Sequence, residues 1–319
     1  MGEQNVASFS LISEPSELDG GLRTLHVKGI ALQPSAFEGS VALVEFGDIA
    51  VEVVRTSPAL LIEDVEDGRA GCLLMLEGAD RAKWDGRSVH PCDVAALAAG
   101  TTLVASFHDP YASAFVSTKE RAPEALLGSW AWAESGRAAL QVEQPTRSAH
   151  GRLSECVLAI ERIARHTPDV LRNDQSRIAL RASLIAAMHG LCRPAEAAKS
   201  GKTRATRRHR IVRLVDEYLC ASPVRPVYTD DLCQALGVSA SALHEAFQHV
   251  FEMSPHRYLK LRRMSLVRVA LLCPCGPWHS VKAAALSYGF WHLGQFAQDY
   301  REIYGELPSA TLARCGGAD

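Results

Sequence analysis

No stretch of this 319-residue chain approaches the roughly 20 consecutive apolar residues needed to span a bilayer, and its first residues show no charged-then-apolar leader. A cytoplasmic protein without a membrane partner is the expectation. There is also no glycine-rich phosphate loop, no Gly-x-Ser-x-Gly nucleophile turn and no His-x-His pair; His26, His90 and His108 stand far apart in the first half. Catalysis, a metal site and a cofactor are therefore not expected.

A dominant charge is missing too, since 34 Lys and Arg face 36 Asp and Glu for a formal net charge of −2. The total conceals a polarity. From Lys199 onward sixteen basic residues face ten acidic ones, about +6, while the earlier stretch carries eighteen against twenty-six, about −8. A basic C-terminal portion suits phosphate, and the acidic remainder should face away from it. Nine cysteines, an odd number at scattered positions, read as reduced thiols. Cys273-Pro274-Cys275 with His279 offers only three ligands in a Pro-rich and Gly-bearing loop, so a connecting loop is expected there before a metal or redox site.

What is present is one small plan used twice. Residues 229–239 and 281–290 each read as a short helix ending in a glycine-bearing turn, followed by a helix over 241–251 and 293–304. A tight bend between helices needs a residue that takes positive φ, and Gly237 and Gly289 occupy the bends. Ser239 is a natural N-cap. Leu243, Phe247 and Phe251 recur at i, i+4, i+8, and Phe296, Tyr300 and Tyr304 repeat that spacing, which gives each second helix a core face. The faces left over carry Ser241, Ala242, His244, Glu245 and Gln248 in the first unit. In the second they carry His292, Leu293, Gly294, Ala297, Gln298 and Arg301. Base edges and phosphates of duplex DNA would meet these faces.

Between the units, Pro255 suits a first helical turn, and residues 256–272 show apolar Leu259, Leu261, Met264, Leu266, Val269 and Leu272 with Arg262, Arg263 and Arg268 interleaved. A helix of that length spans roughly 25 Å, enough to hold two reading helices about one duplex turn apart. Arg268 reads as a structural ion pair. The basic run Arg204, Arg207, Arg208 and Arg210 reads as a solvated linker, with DNA contact as the alternative.

Residues 227–312 resemble the AraC/XylS family of transcription regulators. The strings that carry the resemblance are Asp231-Leu232-Cys233 with Gly237-Val238-Ser239, Leu243-His244-x-Ala246-Phe247, Ser254-Pro255-x-x-Tyr258-Leu259, Gly289-Phe290-Trp291-His292-x-Gly294-Gln295-Phe296, and Tyr300-Arg301 through Tyr304-Gly305-x-x-Pro308-Ser309. They cover about a third of the chain, in order and at the right spacing. The resemblance implies two helix-turn-helix subdomains joined by a long helix, with Ser241, His244, Glu245, Leu293, Gly294, Ala297 and Gln298 where relatives contact bases. It also implies promoter DNA and RNA polymerase as partners. Two departures stand out: Ser241-Ala242 replaces an Arg-Thr common in relatives, and Ala284 replaces a larger β-branched residue, which loosens helix packing. Solvated helix surface is the alternative for Ser241, His244, Glu245 and Gln298, and helix capping is the alternative for His292.

The first half differs. Short β-rich runs at 41–46, 49–54, 59–62, 72–76 and 101–105 are punctuated by Gly47-Asp48, Asp67-Gly68 and Asp85-Gly86, a pattern that predicts a small barrel or sandwich. Residues 94–100 fit strand or helix. After Pro145, Leu153, Cys156, Val157, Ile160, Ile163 and Ala164 form one helical stripe, and Ile178, Ala182, Ile185, Met188 and Leu191 form another. These helices either cover the β-domain or form a homodimer interface.

The expected fold is α+β: residues 1–193 a β-rich effector or dimerisation domain, 194–206 a linker, and 207–313 the DNA-binding domain, with its helix-turn-helix units at about 229–251 and 280–304. The expected function is sequence-specific transcription regulation, an effector-responsive activator rather than an enzyme. A nucleoid-type binder without sequence preference fits less well, because the two reading helices are poor in Lys and Arg. The small-molecule effector has no assignable residues beyond Trp84, His90, His108 and Trp132, each of which also reads as core or surface.

Overall fold

The structure is a computed structural model, and it describes residues 6–33, 37–119, 140–191, 201–202, 207–221, 226–273 and 280–316. The chain divides into two compact units, Met1–Gly29 with Glu38–Ala205, and Ile30–Phe37 with Thr206–Asp319.

The first unit is built on two sheets. The larger contains β1 (Ala7–Ile12), β3 (Gly39–Phe46), β4 (Ile49–Thr56), β6 (Arg69–Glu77), β9 (Val94–Leu97), β11 (Tyr111–Lys119), β12 (Gln141–Glu143) and β13 (Gly201–Lys202). The smaller contains β2 (Leu25–Ala31), β5 (Ala59–Val65), β7 (Ala82–Trp84), β8 (Arg87–Ser88) and β10 (Thr102–Phe107). Their orders are β1-β3-β4-β11-β6-β9-β12-β13 and β2-β5-β10-β7-β8, with antiparallel pairing throughout the described strands. A short helix α1 (Leu18–Gly21) precedes β2.

Turn chemistry sets the hairpins. Phe46 pairs with Ile49 across Gly47 at φ 76°, and Trp84 pairs with Arg87 across Asp85 at 51° and Gly86 at 78°, the two-residue loops that match strand twist. The ambiguous 94–100 stretch contains a strand, β9.

Helices α2 (Arg147–His166) and α3 (Asp174–Leu191) cover one face of the larger sheet. Leu153, Val157, Ile160 and Ala164 from α2 and Leu184, Ala187, Met188 and Leu191 from α3 join Val44, Phe46, Val51, Val53, Leu74 and Val116 in one core. The α2 stripe is as expected. The α3 stripe holds only in its later turns: Met188 and Leu191 are buried and Ile185 packs against the core as expected, whereas Ile178 is 62% exposed and Ala182 is also exposed, with Leu184 and Ala187 turned inward in their place. The larger sheet's other face is buried as well, at Leu43, Glu52, Leu73 and Phe115. There Glu52 accepts bonds from the Arg23 and Thr24 backbone N–H groups and from the Thr24 hydroxyl, just before β2 of the smaller sheet. A strand buried on both faces gives a near-continuous apolar run, as in β3 and β4.

From Arg207 onward the described elements are all helices: α4 (Arg207–Ala221), α5 (Thr229–Leu236), α6 (Ala240–Phe251), α7 (Pro255–Leu272), α8 (Val281–Ser287), α9 (Leu293–Tyr304) and α10 (Pro308–Gly316). One expectation fails here. Arg207, Arg208 and Arg210 are not linker but open α4, because His209, Ile211, Val212, Val215 and Leu219 supply a buried stripe behind them.

Candidate nucleic-acid interface

Each helix-turn-helix unit is made by local chemistry. In the first, α5 ends at Gly237 with φ 62° and ψ 34°, whose N–H donates to the Cys233 carbonyl, and the Val238 N–H donates to the same oxygen at 3.2 Å. That left-handed residue satisfies the last turn and reverses the chain. The Ser239 hydroxyl then accepts from the Ala242 N–H at 3.2 Å to start α6. In the second unit Gly289 has φ 80°, and the Phe290 N–H returns to the Ala285 carbonyl at 2.9 Å. His292 stands at the N-cap of α9 but makes no side-chain cap bond, so the capping alternative for it is not realised.

Helix α7 is the wall shared by two small cores. Ser254 caps it and Pro255 opens it. Tyr258, near its start, packs against Phe247 and Phe251 at centroid distances of 5.1 and 5.0 Å. Met264, Val267 and Leu271 farther along join Ala284, Ala285, Phe290, Phe296, Tyr300 and Tyr304. Eighteen residues at 1.5 Å rise make a rod of roughly 27 Å. The expected α7 stripe is corrected in its later turns: Leu266 and Leu272 are half-buried and Val269 is 42% exposed, while Val267 and Leu271 face inward. Arg268 is structural, as expected. Its Nη1 donates to Glu306 Oε1 at 2.9 Å and to the Tyr300 hydroxyl at 3.2 Å, and its guanidinium lies 4.4 Å from the Tyr304 ring centroid.

With the spines buried, each second helix presents a free face. Ser241, His244, Glu245 and Gln248 are exposed on α6; on α9 Gly294, Gln298 and Arg301 are exposed, Leu293 and Ala297 half-buried, and His292 exposed at the helix start. Arg208 of α4 reaches Glu245 at 3.6 Å, and Gln298 Nε2 donates to Glu302 at 3.4 Å. Both are solvent-facing pairs that a ligand can displace at little cost. Trp291, 67% exposed beside the second turn, enlarges that surface.

Comparison with known proteins meets this geometry. Residues 232–314 match the family model described as "Helix-turn-helix domain". Over 106 residues the chain is 34% identical to the XylDLEGF operon transcriptional activator of Pseudomonas putida, a match covering 33% of this chain and 32% of the relative. It is 34% identical over 104 residues to XylDLEGF operon transcriptional activator 2 of the same organism, covering 33% of this chain and 64% of that one. By this C-terminal third, the chain belongs to the AraC/XylS family. A solved structure described as a "probable AraC family transcriptional regulator" from Rhodopseudomonas palustris is 40% identical, covering 33% of this chain and 97% of that chain, with a TM-score of 0.31. The chain spans about a third of the length of the first of these activators.

Outside the AraC/XylS-type domain, the pocket candidates separate. Trp84 is buried at 1% exposure, His108 is half-buried, His90 lies on the surface, and Trp132 falls outside the described residues. In the smaller sheet is a group the sequence did not flag. Glu63 on β5 is buried, and burial, reinforced by Asp85, pushes its carboxyl up to about 8. Of the Cys273-Pro274-Cys275 and His279 loop only Cys273 is described, and it is exposed; Arg204 and all but two residues of the 194–206 linker are also outside the described residues. Among the described residues no helix is long and apolar enough to cross a membrane, and no cluster of three or more His, Cys, Asp or Glu is arranged for a metal.

Proposed function

We propose that the protein is a sequence-specific transcription regulator that binds promoter DNA in the cytoplasm, with α6 and α9 in successive major-groove segments. The observation that carries this reading is the pairing of two helix-turn-helix units on one rod, each with a second helix that leaves polar side chains exposed, Ser241, His244, Glu245 and Gln248 on α6 and Gln298 and Arg301 on α9. Ser241, His244, Glu245 and Gln248 on α6, and His292, Leu293, Gly294, Ala297, Gln298 and Arg301 on α9, are the proposed contact residues. Gln298 is suited to adenine and Arg301 to phosphate or guanine. Activation through RNA polymerase, a homodimeric state and control by a small effector held in the β-rich unit complete the proposal. The domain boundaries that go with it are 1–193, 194–206 and 207–313.

The test is selection of bound duplexes from a random pool by the full chain, followed by anisotropy titration of the winners across a salt series. A motif of two blocks about one helical turn apart, bound about 10³-fold or more above random DNA, is expected. Gln298→Ala should relax preference at one position in one block, costing about 1–3 kcal/mol there and little elsewhere. Uniform weakening on every sequence would contradict base reading by that residue.

A further inference from the structure

We propose, resting on the DNA-reading function above, that Arg263 is a positioning residue that fixes the spacing between the two DNA blocks. It sits on α7, between the residues that serve the first core and those that serve the second. Its guanidinium lies 5.1 Å from the ring centroid of Tyr228, the N-cap residue of α5, and 5.2 Å from that of Phe290, in the turn of the second unit. Its Nε donates to the Leu259 carbonyl at 3.3 Å, which ties it to its own helix, and its Nη1 points to the Gly289 carbonyl at 3.5 Å. One cation therefore touches the entrance of the first unit, the rod and the turn of the second.

A second observation, independent of the arginine, places the same elements together. A Cβ added at Gly289 would lie 2.9 Å from Pro226 Cβ, so the chain entering the first unit passes directly against the turn of the second. The rod alone sets how far apart α6 and α9 are held; rotation of one unit about the rod is resisted by this lateral contact. The contact lies at the rim of the cores, where Phe290 is the ring it shares with the second. Tyr228 is 44% exposed and Arg263 half-buried, whereas Phe247, Phe251, Phe296 and Tyr300 are closed off from solvent in their own cores. Arg263 thus couples the entrance of the first unit to the rim of the second core. The choice of side chain fits the task, because a planar guanidinium can face two rings while its edges donate to carbonyls, and a lysine ammonium cannot.

On DNA the coupling has a specific consequence. Adding one base pair between the blocks moves the second by roughly 3.4 Å and rotates it by roughly 35°. A rigid pair of readers loses one block; a loosened pair can follow it.

The experiment uses full-length wild type, Arg263→Ala, Arg263→Lys and Tyr228→Leu on the selected two-block duplex, on the same duplex with one base pair added or removed between blocks, and on a duplex with one block alone. Circular dichroism melts establish that each variant is folded; Tyr228→Leu, at a partly exposed position, keeps the test available if Arg263→Ala unfolds. Wild type should lose about tenfold or more in affinity when the spacing changes. All three variants should lose no more than about threefold, with single-block affinity within about twofold of wild type. Folded variants that keep the wild-type spacing profile, or weaken equally at every spacing, overturn the proposal. A drop on the single block together with a shallower salt dependence also overturns it, since Arg263 would then be a phosphate contact. Absence of any two-block preference in wild type is a different failure: it removes the DNA-reading function itself.

Discussion

The first helix-turn-helix unit closes on apolar side chains, Leu232, Leu243 and Val250 beside a ring cluster in which Phe247, Phe251 and Tyr258 pack within 5.0 to 5.5 Å of one another. The second has its own ring series, Phe290, Phe296, Tyr300 and Tyr304, but a charged anchor is set into its wall. Arg268, 7% exposed, donates to Glu306, which also accepts from Thr311 at 2.8 Å and from Arg314 at 2.7 Å. The turns differ in the same sense. A Cβ at Gly237 meets open space, whereas one at Gly289 meets Pro226 and Arg263 Nη1. The same plan thus has an open turn and an apolar core in its first use, and a confined turn with a charged anchor in its second. A recurring motif specifies the turn and the spine; it does not specify what the motif leans on.

That contrast is broken most directly at the two glycines. Gly289→Ala should cost about 2 to 5 kcal/mol, combining the left-handed backbone penalty with overpacking against Pro226. Gly237→Ala carries the backbone penalty alone, about 1 to 2 kcal/mol. Chemical denaturation of the two variants measures the difference, and equal losses would mean that the second turn is no more confined than the first.

Acid separates the cores next. Burial tends to raise the Glu306 carboxyl, but the bonds from Thr311 and Arg268 and the charges of Arg268 and Arg314 outweigh it, and its pKa falls below its ordinary value of about 4.5. A depressed carboxylate contributes stability that is fully present above the unfolded-state value and is lost as pH falls through the lower folded-state value. The second unit should therefore loosen below about pH 4.5 while the ring core of the first holds. Glu306→Gln should remove about 1.5 to 3 kcal/mol at neutral pH and flatten that acid dependence. Hydrogen exchange resolved along the chain reads both effects, and simultaneous acid loosening of Leu243–Phe251 and Phe296–Tyr304 amides would refute the distinction.

How much of this could be read without coordinates follows the same line. The positive-φ glycines, the Ser239 cap and the i, i+4, i+8 spines are local facts, each decided within about eight residues, and the structure places them as the residue pattern implies. The strands around Gly47, Gly68 and Gly86 were legible for the same reason, whereas their order in two sheets depends on pairings across dozens of residues, such as β4 with β11. Reading failed where a residue's partner is remote. Leu266, Val269 and Leu272 are as apolar as Val267 and Leu271, and only the packing of α8 and α9 decides which row of α7 turns inward. Arg207, Arg208 and Arg210 masked a helix because their charge was visible and the core under His209 and Val212 was not. Arg263 could be seen as a basic residue on a helix, but not as the meeting point of Tyr228 and Phe290.

The finest test lies at the helix starts. Ser239 caps α6 through Ala242, and Ser239→Ala should cost about 1 kcal/mol and fray the turn that carries Ser241. His292 holds the equivalent position on α9 without a cap bond, so its removal exposes no orphaned N–H that was previously satisfied. His292→Ala should leave stability within a few tenths of a kcal/mol, and His292→Ser should raise it by about 0.5 to 1 kcal/mol by supplying the missing acceptor. If serine stabilises the domain but weakens DNA binding, the histidine sits there for what it touches outside the protein, and the second unit has given up a cap to keep a contact. If serine improves stability and leaves binding unchanged, His292 leaves the set of contact residues, and the second reading surface begins at Leu293.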